Sequence, residues 1–223
     1  MGAVAKNGRD GRRVSPLLVM LVAVLVAVVG VGGFVAWQFF GTNIVASRAV
    51  PGELAAVHAA LDGATPSADG GVKVPEPVPH EAAWLLRIPS LDLEQPIIAG
   101  VEPGDLRRGV GWYPGTALPG QVGNFVLAGY RFGNGEPFRH LFGLKVGDEV
   151  VVETPQGVFT YEVISAPGEL TVQEGDSWVL DPVPGRSDEI PTQALLTLTT
   201  GEDVIETGDR AVGFAVLTGT QIR

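Results

Sequence analysis

Three histidines, at positions 58, 80 and 140, and no cysteine are what this 223-residue chain offers for nucleophilic or general-base chemistry. The missing thiol excludes disulfides, cysteine metal sites, iron-sulfur clusters and thiolate nucleophiles together. A serine triad needs a histidine base, and only His140 lies within the part of the chain that reads as regular strands. It sits in Pro137-Phe138-Arg139-His140-Leu141-Phe142, an apolar and aromatic segment in which a structural histidine is the stronger reading, and no serine spacing selects a partner for it. Glu202, Asp203, Glu206 and Asp209 crowd together just before Arg210. Hard cations take several oxygen ligands, but this spacing matches no calcium loop, so a solvated acidic loop paired with Arg210 is expected. No metal and no cofactor is assigned.

These residues depend on elements that the pattern makes visible. Residues 17–40 (LLVMLVAVLVAVVGVGGFVAWQFF) carry no formal charge. At about 1.5 Å per residue they span the ~30 Å hydrocarbon core of a bilayer, and they exceed the ~7–15 residues of a signal-peptide apolar region. A retained transmembrane helix is the reading. Lys6, Arg9, Arg12 and Arg13 precede it against Asp10 alone, whereas residues 41–223 hold 11 basic and 24 acidic side chains. The positive-inside rule predicts a single-pass cell-membrane protein with residues 1–16 cytoplasmic and the rest outside. So acidic an exterior disfavours nucleic acid as a partner.

Residues 41–80 turn to Ala, Gly, Pro and acidic types and end in GGVKVPEPVPH, which suggests an extended stalk, with a short helix at Gly52–Leu61. From residue 81 the chain changes to short β-like runs with Gly and Pro between them: Trp84–Ile88, Gln95–Ala99, Asn124–Ala128, Glu149–Glu153, Gly157–Ile164, Ala194–Thr199 and Ala211–Leu217. Such spacing predicts an antiparallel sandwich or barrel. Pro155-Gln156-Gly157 reads as a hairpin turn, Gly104–Arg108 as one helical turn, and Pro167–Pro191 as a long loop without periodicity.

Several blocks in this region resemble the sortases, most closely the actinobacterial class E type. They are LLRIPSLDLEQPI at 85–97, GVGWYPGTALPGQVGNFVLAGYR at 109–131, the GNGEPF and LKVGDEVVVET runs, and LLTLTTGEDVIETGDR at 195–210. The resemblance implies an all-β fold, an eight-stranded antiparallel β-barrel over residues 81–223, following the one N-terminal transmembrane helix. It implies membrane-anchored transpeptidation, in which a cysteine thiolate attacks the Thr-Gly carbonyl of an LPxTG-like sorting signal. A histidine then protonates the leaving amine, and an arginine stabilises the oxyanion or holds the peptide. The histidine motif of the family, A-G-H-R, stands here as Ala128, Gly129, Tyr130 and Arg131, and the nucleophile motif T-L-x-T-C as Thr197, Leu198, Thr199, Thr200 and Gly201. Arg210 holds the family's arginine position. The resemblance makes Thr199, Thr200, Arg131, Trp178 and Leu180 the candidate peptide contacts, the last two on the loop at 166–193.

Glycine offers no side chain, so no acyl-enzyme can form at position 201. A tyrosine phenol has a reference pKa of about 10 against ~6.5 for imidazole and makes a poor proton shuttle at neutral pH. Successive strand residues face opposite sides, so Thr199 shares a face with Gly201 while Thr200 points away. The expectation is an inactive sortase-like domain that binds a sorting-signal peptide or a partner. The alternatives are a transpeptidase working through a non-standard mechanism and a purely structural surface domain.

Overall fold

An uninterrupted apolar run with Pro at its first position has every reason to become a helix, and α1 spans Pro16–Ala36. Leu, Val, Ala and Gly occupy all its faces, the signature of a helix that meets apolar surroundings on every side. At 21 residues it is long and apolar enough to cross a membrane. The computed structural model describes residues 15–37, 41–64, 73–203 and 207–223. The positively charged segment before α1, Phe39 and Phe40, the beginning of GGVKVPEPVPH, and Glu206 therefore lie outside the described residues. The chain divides into two units, Met1–Gln38 and Phe39–Arg223.

The second unit is built on nine strands: β1 (Ala82–Ile88), β2 (Leu93–Ile98), β3 (Val110–Trp112), β4 (Gly123–Ala128), β5 (Glu149–Thr154), β6 (Gly157–Ser165), β7 (Thr171–Gln173), β8 (Ala194–Gly201) and β9 (Asp209–Ile222). Their order is β6-β5-β1-β2-β3-β4-β8-β9, and β9 returns to pair with β6, which closes an eight-stranded barrel; β7 is added on the free side of β9. Closure removes the exposed sheet edges that would otherwise invite aggregation. The expected antiparallel pairing is corrected at two joints, since β2–β3 and β4–β8 run parallel. Parallel neighbours need long crossovers, and the chain between β4 and β8, which includes β5, β6 and β7, provides one.

Alternation fills the barrel. Phe125 and Leu127 of β4, Phe159, Tyr161 and Val163 of β6, and Leu196 and Leu198 of β8 point inward. Trp84 meets Trp112 and Phe125 edge-on, with ring centroids 5.6 and 5.7 Å apart, the geometry aromatic quadrupoles favour. The buried Tyr161 hydroxyl accepts the Gly120 amide at 2.8 Å, and burial pushes its pKa up. Gly120 must be glycine: its φ is +76° and a Cβ there would enter the Phe159 ring.

Leu85, on the outer face of β1, is also fully buried. Its cover is helix α2 (Thr42–Asp62), whose Val57 and Leu61 close on it. Where the sequence suggests a stalk with a short helix at Gly52–Leu61, the helix starts ten residues earlier and runs through Pro51. Burying Val57, Leu61 and Leu85 is worth about 1.5–3 kcal/mol per side chain, enough to offset the ~3 kcal/mol an interior proline costs. Arg108 pairs with Glu53 at 2.8 Å, the His58 ring reaches Glu94 of β2 at 3.2 Å, and Arg223 reaches the Leu61 carbonyl.

The single turn α3 (Pro103–Leu106) is held by a capping box between Glu102 and Asp105. The hairpin at Pro155-Gln156 forms as the sequence suggests, with the Thr154 hydroxyl accepting the Gln156 and Gly157 amides.

Candidate functional site

β4, β8 and β9 also bury residues on their outer faces, and there the candidate site lies. Leu196 and Leu198 face the core, which leaves Thr197, Thr199 and Gly201 pointing out. On β9, Ala215 faces the core and Arg210, Val212 and Phe214 point out beside them. Gly201 is the register partner of Arg210, and Thr199 of Val212. On the other flank, Ala128 pairs with Thr199, and the Gly129 amide donates to the Thr199 carbonyl at 3.2 Å. Tyr130 and Arg131 thus leave β4 next to the end of β8.

Thr200 points the opposite way, and its hydroxyl donates to the Gly129 carbonyl at 2.8 Å. This bond stitches the two strand ends. Thr197 donates to Asn124 Oδ1 at 2.6 Å. Asn124 is 2% exposed and gives its own amide hydrogens to the Val179 and Asp181 carbonyls, at 2.8 and 3.0 Å. A buried side chain of β4 therefore fastens the 166–193 loop above the sheet.

Trp178 and Leu180 lie in that loop. They form an apolar patch with Val172, Val179, Val212 and Phe214, and the Trp178 and Phe214 rings stand 6.4 Å apart. Those contacts pin the loop to the outside of β9.

Gly201 differs from Gly120 in both respects. Its φ lies outside the left-handed region, and among the described residues an added Cβ would meet only Arg210 Nη1, at 3.8 Å, an ordinary van der Waals distance. Neither conformation nor space demands glycine here.

Arg210 pairs through Nη2 with Glu174 Oε1 at 3.1 Å and donates from Nη1 to the Thr207 carbonyl at 3.2 Å. Among the described residues its carboxylate partner is the loop acid Glu174 rather than Glu202, Asp203 or Asp209, while Glu206 lies outside the described residues. Tyr113 borders the same charges: burial raises its phenol pKa, the Arg210 charge opposes, and Glu174 adds to the rise. Tyr113 and Glu174 escape sequence reasoning. Glu174 sits in a loop without periodicity, and Tyr113 follows a strand of three residues.

Arg131 is committed to structure. Its guanidinium lies 3.5 Å from the Phe142 ring centroid and 4.8 Å from that of Phe132, and its Nη1 donates to the Glu202 carbonyl. This ties the segment after β4 to the end of β8. Beyond it, residues 133–136 all adopt positive φ, at +66°, +52°, +90° and +51°. Asn134 and Glu136 are the non-glycine members, and each costs about 1–3 kcal/mol unless its surroundings enforce it. His140 is exposed at the far end of this loop.

Away from the groove, His80, Glu102 and Asp105 bring possible ligand atoms within 4.8 Å of one another. Arg108 also donates to Asp105 there, at 3.3 Å.

A closed eight-stranded barrel, with the outer face of β4, β8 and β9 covered by the segment before β8 and bordered by Arg210 at the strand ends, sets the class of protein. The chain belongs to the sortase family: the family model described as "Sortase domain" matches residues 86–218. It is 39% identical over 134 residues to Sortase SrtE1 of Streptomyces coelicolor, covering 55% of this chain and 36% of that protein. The chain thus spans about a third of that relative's length. Sortase E from Streptomyces avermitilis is similar in structure, with 34% identity and a TM-score of 0.59 over 66% of this chain and 93% of that one. Sortase E1 from Streptomyces coelicolor, solved with a tripeptide in the active site, has 33% identity and a TM-score of 0.59, covering 66% of this chain and 94% of that one.

Proposed function

We propose that this protein is a sortase-fold domain without transpeptidase activity. It is held to the cell membrane by residues 17–40, with residues 1–16 in the cytoplasm and the barrel outside, and it binds a sorting-signal peptide in the groove over β4, β8 and β9. The observation that carries the reading is Gly201. It faces the groove opposite Arg210, with room for a side chain and no backbone need for glycine, yet it supplies no nucleophile.

Transpeptidation requires a bond between an enzyme atom and the peptide carbonyl, and a proton for the departing amine. Thr200 spends its hydroxyl on the Gly129 carbonyl, and Thr197 on Asn124. Thr199 shares the outer face but is buried two residues short of position 201. Tyr130 occupies the position where the family's proton donor would stand. What remains is a recognition surface: Arg210 to meet a carbonyl or carboxylate, Tyr113 beside it, and a fastened loop above.

The test uses the full chain in detergent or nanodiscs with a fluorogenic LPxTG-like peptide and an amine acceptor. Wild type is expected to bind peptide and turn none over, while Tyr130→His combined with Gly201→Cys gains turnover. Turnover by the wild type would overturn the proposal, and absence of peptide binding by either form would favour a structural role.

A further inference from the structure

The loop that carries Tyr130 and Arg131 is held from outside the barrel, by the helix nearest in sequence to the apolar segment. Asn43, in the first turn of α2, donates from Nδ2 to Glu136 Oε1 at 2.9 Å and accepts the Gly135 amide on Oδ1 at 2.8 Å. Both bonds reach the left-handed turn at 133–136. Gly135 has φ +90°, and a Cβ on it would stand 2.8 Å from the Ala46 Cβ, so glycine is what lets α2 come this close. Glu136 Oε1 also accepts the Gly133 amide at 2.9 Å, and Oε2 accepts Arg139. Burial would raise the Glu136 pKa, but the bonds from Asn43, Gly133 and Arg139 together hold it below the usual range.

A turn with Asn134 and Glu136 both in the left-handed region does not persist by local preference. The atoms that enforce it come in part from another element, and Asn43 supplies two of the bonds. From the turn, contacts run straight to the groove. The Phe138 amide donates to the Tyr130 carbonyl at 3.0 Å, and the Phe138 ring lies so close to Gly129 that a Cβ there would come within 2.7 Å of it. Arg131 then bridges Phe142 and the Glu202 carbonyl, one residue past Gly201.

We propose that Asn43 is a clamp through which α2 holds the Tyr130–Phe142 loop in its groove-forming position, so that release of α2's first turn opens that wall of the groove. Asn43 is a positioning residue, acting through the 133–136 turn. The effect on ligand rests on the reading of the groove as a peptide site; the clamp itself does not.

The experiment compares wild type with Asn43→Ala and with Gly135→Ala, as full chains in nanodiscs, by hydrogen exchange and by binding of a fluorescent LPxTG-like peptide. Gly135→Ala also forces Ala46 away, but at φ +90° it strains the turn itself as well, so the clamp is read first from Asn43→Ala. Both variants are expected to raise amide exchange over 130–143 by about tenfold or more, with β4 and β8 protected as in the wild type. Peptide affinity falls by a similar factor. Arg223→Ala, which loosens the other end of α2, leaves 130–143 unchanged. Unaltered exchange over 130–143 in both variants overturns the clamp, as does a rise in both that spreads evenly through β4 and β8. If exchange rises only over 130–143 while no form, wild type included, binds peptide, the clamp stands and the peptide reading falls.

Discussion

The inside of the barrel and the groove on its outside are two faces of the same strands, and they have been kept to different standards. Inside, apolar side chains run from Trp84 through Phe125 to Leu198, and the buried Tyr161 hydroxyl has its donor. Outside, the supports are equally complete: Thr197 bonds to Asn124, Asn124 fastens the roof, and Arg210 is paired. On the proposed reading, the deficit is confined to side chains that would do chemistry, and a missing nucleophile at Gly201 leaves these supports intact.

The largest effect should come from the interior. Trp84→Ala removes an aromatic that touches Trp112 and Phe125 edge-on, and it should destabilise the barrel by about 3–5 kcal/mol in denaturant unfolding. A loss below 1 kcal/mol would break the contrast drawn here.

Next is Asn124→Ala. The variant strips the Val179 and Asp181 carbonyls and the Thr197 hydroxyl of their partner, and a cost of about 1–3 kcal/mol is expected. Amide exchange should rise chiefly over residues 177–190, separating roof from barrel.

Gly201→Ala should go the other way. With open space and no positive φ at this position, removing glycine's freedom in the unfolded chain should stabilise by about 0.4–1 kcal/mol, read as a raised melting temperature. Destabilisation would mean that glycine is structural, which would undercut the proposal of lost function.

The smallest effect lies at neither face. The His80 pKa is raised above 6.5, chiefly by its hydrogen bond to Asp105 and then by that carboxylate's charge, with slight desolvation opposing. A raised folded-state value means the stabilisation is full below the unfolded pKa and is lost as pH climbs through the folded one. A shallow drop in melting temperature above neutrality should therefore vanish in His80→Gln.

Alternation made most of this barrel readable: each of the seven expected runs falls on a strand, because each buries one face. β3 and β7 do not announce themselves, being three residues each, too short for a period. The start of α2 was hidden by Pro51, which reads as a boundary until the surface it covers at Leu85 is known. The same logic separates the site residues. Gly201, Tyr130 and Arg210 were legible because each sits at a fixed offset within a motif. Glu174, Tyr113 and Asn43 were not, since their neighbours in space are dozens of residues away in sequence and no local pattern encodes a partner at that distance.

β9 pairs with β6, β7 and β8, and all three precede it in the chain. The β8–β9 pairing is a local hairpin, but the pairings with β6 and β7 are long-range and slow, because the chain must close large loops before those contacts reward it. While β9 is still being made, β6 and β8 each present an unpaired edge, and the Arg210 side of the groove does not yet exist. Assembly of the Arg210 side of the site is therefore tied to closure of the barrel: a chain stalled short of that step lacks the proposed peptide surface and is prone to pair with its own kind.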